Sequence, residues 1–235
     1  MSVFSHNPLS DRFACPACGS RAGHNVDQIL WPELVRAWGL SSSQAAVLNA
    51  RDGVWCKTCG SNVRTMTLAL AMMRSVGSRA PARQLRLRCP LLRLLEVNEC
   101  GPLREMTGRM PRAVRGDYPV VDMQALPYAD ASFDLVIHGD TLEHVADPIQ
   151  GLRECLRVLR PNGSLCYTVP VVVGRPTRRR SELPASYHGA SHAPLYLVYT
   201  EYGDDFWTEP VAAGFSDVRI ISLAFPCSFA LVCRR

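Results

Sequence analysis

The chain has 235 residues, 47% of them hydrophobic, with a formal net charge of +5 and a sequence pI near 8.7. That size suits one large domain, or a domain of moderate size with a small appendage. No apolar run approaches the ~20 residues that a membrane-spanning helix needs, and the charge falls short of a nucleic-acid-binding footprint. Residues Met1 to Asp11 lack the charged-then-apolar pattern of a secretory leader, so a cytoplasmic protein is expected. Of the ten cysteines, four form two Cys-x-x-Cys pairs. The other six (Cys89, Cys100, Cys155, Cys166, Cys227 and Cys233) are scattered through apolar segments, where thiols act as small hydrophobes. A reducing compartment without a disulfide framework follows.

In chain order, Cys15-Pro16-Ala17-Cys18-Gly19 and Cys56-Lys57-Thr58-Cys59-Gly60 are two knuckles. Each supplies two thiolates at adjacent corners of a tetrahedron, and the glycine after each second cysteine lets the turn close. Cys15, Cys18, Cys56 and Cys59 are therefore expected to hold a structural zinc ion with no open position. Between the knuckles, Val26, Ile29, Leu30, Leu34, Val35 and Trp38 recur at helical spacing. Ser41-Ser42-Ser43 offers an N-cap to a second short helix over Ala45–Asn49. Trp31, Trp38 and Trp55 are read as packing this insertion on the knuckles, with the wall of a substrate cavity as the alternative. Asn62 to Val76 reads as a helix with a Met-containing apolar stripe. Arg64, just past the second knuckle, either faces the thiolates, points into an active site or is solvated. The Arg- and Pro-bearing run Ser78–Arg88 reads as a linker, which divides the chain into residues 1–80 and 81–235.

From Leu92 the pattern changes to short apolar runs closed by turn formers: Leu92–Val97, Arg112–Gly116 and Phe133–His138, as expected of buried parallel strands. The first ends in Asn98-Glu99-Cys100-Gly101-Pro102, with a helix expected to about Arg109. Asp117 falls about twenty residues past Glu96, the separation at which an acid at the end of a second strand meets a ribose. Asp147–Leu159 is amphipathic and Ser164–Pro170 is a further strand. Val171–Tyr199 is a long loop rich in Pro, Arg and Ser, the kind that forms lids or binding loops. Its Arg175, Arg178, Arg179 and Arg180 are candidates for an anionic group on a substrate, or a solvated basic patch. Within it His188, between Tyr187 and Gly189, is preferred to His192 as a functional histidine. A helix starting near Glu201 and two strands, Val218–Ala224 and Ser228–Cys233, close the chain.

Leu95-Glu96-Val97…Gly101, Asp117, Asp122…Leu126-Pro127, Ser132–Val136, Leu142-Glu143-His144-Val145 and Leu156–Gly163 occur in the order and spacing of a known family. The stretch resembles the class I S-adenosylmethionine (SAM) dependent methyltransferases of the small-molecule type. The resemblance implies a Rossmann-like α/β domain with a seven-stranded sheet, preceded here by the small zinc-binding helical module. It also implies a cofactor site built from Glu96, Asn98, Cys100, Gly101, Asp117, Asp122, Met123, His138, Gly139 and Asp140. In it Asp122 and the Met123 amide face adenine, and His138, Gly139 and Asp140 lie beside the methionine end. His144 and His188 are candidates for a general base. The first turn departs from the family: only Gly101 remains of the usual glycines, and Asn98 is expected to take over a left-handed backbone position.

The expected activity is methyl transfer from SAM to a small-molecule acceptor, a natural-product or sugar-type intermediate. RNA methylation, other SAM chemistry such as cyclisation or aminopropyl transfer, and a non-enzymatic binding module are the alternatives. The sequence leaves the oligomeric state open.

Overall fold

The computed structural model describes residue 9, residues 13–188 and residues 196–235. The elements in chain order are β1 (His24–Val26), α1 (Pro32–Ala37), α2 (Ser42–Gly53), β2 (Val54–Cys56), α3 (Val63–Ser75), α4 (Leu85–Arg88), β3 (Leu94–Val97), α5 (Leu103–Thr107) and β4 (Ala113–Gly116). They continue with β5 (Phe133–Gly139), α6 (Pro148–Val158), β6 (Leu159–Thr168), β7 (Arg178–Arg179), β8 (Thr200–Glu201), α7 (Thr208–Ala213), β9 (Asp217–Leu223) and β10 (Ser228–Arg234).

The main sheet has the order β4-β3-β5-β6-β10-β9. Strands β4, β3, β5 and β6 run parallel, whereas β10 is antiparallel to both of its neighbours. This is the open α/β arrangement in which ligands lie beyond the carboxyl ends of parallel strands. The described residues hold six strands in this sheet, one fewer than the expected seven. The link from β4 to β5 explains the difference, because Asp117–Ser132 contains only a 3-10 turn at Met123–Ala125. A further parallel strand would need a crossover of about a dozen or more residues on each side.

The helices begin where local chemistry allows. Ser41 and Gln44 form a reciprocal capping box at the start of α2, Asn62 accepts from Thr65 N at the start of α3, and Asp147 accepts from Gln150 N at α6. The helical stripe from Val26 to Trp38 is helix only over Pro32–Ala37; its first residues pair with β2 instead. The run Ser78–Arg88 is not an open linker. It contains a 3-10 turn and α4, buries Ala82 and Leu85, and Ala82 N donates to Pro16 O of the first knuckle.

Two apolar layers flank the sheet. On one face α3, through Met66, Ala69 and Met73, shares a buried cluster with Leu135, Ile137, Cys166 and Ala230 of the strands and with Cys15, Cys18 and Cys56 of the knuckles. The regions on either side of residue 80 thus share one core. On the other face α6 and the α7 segment cover Leu95, Val136, Tyr167 and Leu231. A third cluster joins Leu34, Trp38, Leu40 and Leu48 of the insertion to Val172 and Val198. It places α1 and α2 as a cap above the carboxyl ends of the strands. All ten cysteines are free, and among the described residues no helix is long and apolar enough to cross a membrane.

Candidate functional site

The turn after β3 is held from beneath. Glu96, fully buried, accepts from Cys100 N at 3.1 Å, Arg104 Nε at 3.2 Å and Thr107 Oγ1 at 2.9 Å. Its carboxylate therefore fixes the loop and the start of α5 and does not line the cavity above. Asn98 has φ 58 and Gly101 φ 59, so asparagine does occupy a left-handed position where a glycine would be easiest. The Asn98 carboxamide then bridges two loops, accepting from Tyr118 N at 2.8 Å and donating to Thr141 Oγ1 at 3.5 Å.

Above this turn lies a cavity of about 480 Å³ lined by Asn98, Asp117, Asp122, Met123, Gly139 and Asp140, with Glu99, Arg104, Tyr118, Gln124, Thr141 and His144 among the other walls. Cys100, Gly101 and His138 are not on its surface. Cys100 is buried within the turn. His138 is fully buried, with its ring stacked on Tyr167 at 4.7 Å and neither ring nitrogen hydrogen-bonded among the described residues. Burial pushes its pKa down to about 3, so it is a neutral packing residue. Asp117 receives both Arg104 Nη atoms, one at 2.9 Å, and the Arg104 hydrogen bond holds its pKa below the usual carboxylate range. A carboxylate offers about four lone-pair sites, so two remain for ribose hydroxyls. Asp122 accepts from Gln124 N at 2.8 Å, which fixes the loop whose Met123 side chain packs against Gly151.

Asp140 is the hub. It has φ 48, and its carboxylate meets Arg51 Nη2 at 2.6 Å, Arg64 Nη1 at 2.9 Å and Thr168 Oγ1 at 3.0 Å. Burial opposes its ionisation, but the Arg51 and Arg64 charges hold its pKa well below the ordinary value. Asp52 pairs with Arg51 at 2.8 Å and with Arg64 at 3.6 Å. Arg64 thus points into the site, placed there by the Asn62 cap just beyond the second knuckle. Arg51 is almost wholly buried. It had no periodic or motif signal; only its position near the end of a helix of the insertion could have marked it.

Beside this cluster opens a second cavity of about 470 Å³, lined by Ile29, Leu30, Trp31, Leu34, Trp38, Leu40 and Leu48 on one side and by Arg51, Arg64, Asp140, Glu143, His144 and His188 on the other. Asp140, His144 and Tyr196 line both cavities. Trp31 and Trp38 are therefore cavity walls, and Trp38 is core as well. Its Nε1 donates to Ser186 Oγ at 2.8 Å, tying the cap to the long loop. Trp55 lines neither cavity and donates to Asp27. His144 and His188 meet edge to face at 5.0 Å. His192 lies outside the described residues. The four loop arginines do not reach the cavities. Arg175, Arg178 and Arg180 converge on the buried carboxylate of Glu201, and Arg179 pairs with Glu209 at 2.8 Å. A fully buried carboxylate needs such partners, and they consume the charges that were candidates for an anionic substrate group.

The four knuckle cysteines come together away from this site. The Sγ atoms lie within 4.8 Å of one another, with Cys15 to Cys59 and Cys18 to Cys56 at 3.8 Å. A tetrahedral ion with Zn–S bonds of about 2.3 Å has S–S edges of about 3.8 Å, so these thiols have the geometry to hold one.

Residues 76–167 match the family profile described as "Methyltransferase domain". Over 117 residues the chain is 45% identical to a Mycobacterium tuberculosis protein described as a "probable S-adenosylmethionine-dependent methyltransferase", covering 47% of this chain and 38% of that one. It is 33% identical over 131 residues to a demethylmenaquinone methyltransferase of Mycolicibacterium vanbaalenii, covering 48% of this chain and 56% of the relative. The chain thus spans only part of the length of the curated relatives it matches. Among solved structures, the [4+2]-cyclase SpnF aligns with a TM-score of 0.41 and 19% identity, over 74% of this chain and 95% of that one. The matched stretch contains β3, the turn after it, and β4, β5 and most of β6, and over this part the chain is similar to SAM-dependent methyltransferases.

Proposed function

We propose that the protein transfers a methyl group from SAM to a small, flat, largely apolar acceptor carrying an acidic O–H or N–H. The observation that carries this reading is the pair of adjoining cavities that share Asp140, His144 and Tyr196. One has the polar walls that suit a nucleoside and the other the aromatic walls that suit an organic acceptor.

In the first cavity, Asp117 would accept from the ribose hydroxyls, Asn98 and Asp122 would flank the nucleoside, and Gly139 with Asp140 would border the methionine end. SAM, when bound, supplies a methyl group on a positively charged sulfur, which transfers by in-line displacement. The chain's task is positioning and exclusion of water. Asp140 would border the sulfonium end, with its carboxylate held in one orientation by Arg51 and Arg64. Trp31 and Trp38 give the acceptor a hydrophobic slot under the cap. The likeness to the Mycolicibacterium demethylmenaquinone methyltransferase supports an aromatic acceptor over a sugar.

The four cysteines would hold a structural zinc ion, with no open position for catalysis. It would staple the cap to the start of α3 and so set the direction of Arg64. The division of labour is then a metal-stapled cap before α3 and a catalytic domain from the sheet onward.

Titration calorimetry with SAM and S-adenosylhomocysteine tests the reading. Saturable binding of both at one site per chain is expected, with Trp38→Ala leaving both affinities unchanged. Absence of binding to either would remove it.

A further inference from the structure

The wall between the cavities holds a group of side chains that methyl transfer does not by itself require. Glu143 is fully buried, and neither carboxylate oxygen has a hydrogen-bond partner among the described residues. An uncompensated carboxylate in such a place is costly. Two imidazoles face it: His144 Nε2 and His188 Nδ1 each lie 3.9 Å from Glu143 Oε1. One ligand atom from each of the three residues lies within 4.8 Å of the others. His144 Nδ1 sits 2.8 Å from the Leu197 carbonyl. That oxygen only accepts, so Nδ1 carries the proton and Nε2 presents its lone pair. A backbone carbonyl fixing the far nitrogen is the usual outer support of a metal-binding histidine. All three residues border the aromatic cavity.

We propose that Glu143, His144 and His188 bind a first-row divalent cation, and that this ion holds a pair of adjacent oxygens on the acceptor. The proposal rests on the methyltransferase reading for the acceptor's role, but not for the ion's presence. With ligand bonds of about 2.1 Å, a tetrahedral centre needs edges of about 3.4 Å. The 3.9 Å separations close to that value if each imidazole moves by roughly half an ångström. Two nitrogens and one carboxylate oxygen on one side leave the remaining positions facing the cavity. Such a donor set suits zinc, cobalt or manganese better than magnesium.

Charge counts in the same direction. Arg51 and Arg64 are offset by Asp52 and Asp140, so among the described residues Glu143 is the uncompensated member of the group. An acceptor hydroxyl on the ion would lose its proton to solvent more readily. Compounds with vicinal hydroxyls, or a hydroxyl beside a carbonyl, would then be preferred.

The test is a metal count on natively purified protein, followed by titration with cobalt(II) monitored by its visible absorption. One cobalt per chain beyond the cysteine-bound ion is expected. Glu143→Gln, which keeps the side-chain volume, and His188→Ala should each weaken that uptake at least tenfold while keeping the cysteine-bound ion. No cobalt beyond the cysteine site, or uptake unchanged in both variants, would overturn the proposal. SAM calorimetry on the same samples reports separately on the cofactor reading. Cobalt uptake without SAM binding would leave the ion site standing and remove the methyltransferase role.

Discussion

Replacing Asp140 by asparagine removes one negative charge at nearly constant shape. The left-handed backbone at φ 48 is one asparagine adopts readily, so the change isolates the charge. The side chain is 11% exposed, and Arg51, which it contacts, is 2% exposed. Stripping one partner from a buried ion pair costs about 3–5 kcal/mol. Two features lower that figure here: Asp52 still meets Arg51 at 2.8 Å, and Arg64, with a 30% exposed side chain, gains water. A loss of about 3 kcal/mol is expected, which for a domain of this size lowers Tm by roughly 6–12 °C. Asp140→Ala should cost about 1 kcal/mol more, because alanine also resists the backbone angle. Thermal melts in excess zinc measure both. A loss below about 1 kcal/mol for the asparagine variant, or alanine proving the milder change, would refute the view that Asp140 is the electrostatic hub.

Three further outcomes are expected. Asp117→Ala should weaken SAM binding by roughly 1–3 kcal/mol in calorimetry, with little change in Tm because its side chain is half exposed; unchanged affinity would remove the ribose assignment. Gly53→Ala should destabilise strongly, since a Cβ there would fall 2.0 Å from the Asp27 carbonyl oxygen and push β1 from the end of α2; an unchanged melt would contradict that packing. Acidification should destabilise the fold from about pH 6.5 downward, because His138 and His188 stay neutral to about pH 3 when folded whereas the unfolded chain takes up their protons near pH 6.5. His138→Phe should flatten part of that slope in melts across the range, and an unaltered slope would assign it elsewhere.

Much of the half that begins at Leu92 was legible because its signals are local. Each parallel strand is a short apolar run ending in a turn, and Asp117, Asp122 and Asp140 stand at or just beyond those ends for backbone reasons that spacing reveals. The knuckles were equally readable, since two Cys-x-x-Cys turns leave few alternatives to a shared cluster. The paired cavities were not. Arg51 and Asp140 are 89 positions apart, and Trp38 meets Ser186 only because the insertion folds over a distant loop. The loop arginines misled for a related reason: Glu201, which binds three of them, gives no sign in the sequence that it is buried. Glu96 and His138 sit at strand positions that the family resemblance associates with the cofactor, yet side-chain direction turned one beneath the loop and the other into the sheet.

The most direct test of the account is a crystal structure with S-adenosylhomocysteine bound. The ribose hydroxyls are expected on Asp117, the adenine bordered by Asp122 and Met123, and the sulfur beside Asp140, facing the cavity walled by Trp31 and Trp38. A nucleoside lodged among those tryptophans, or found nowhere near Asn98 and Asp117, would contradict it.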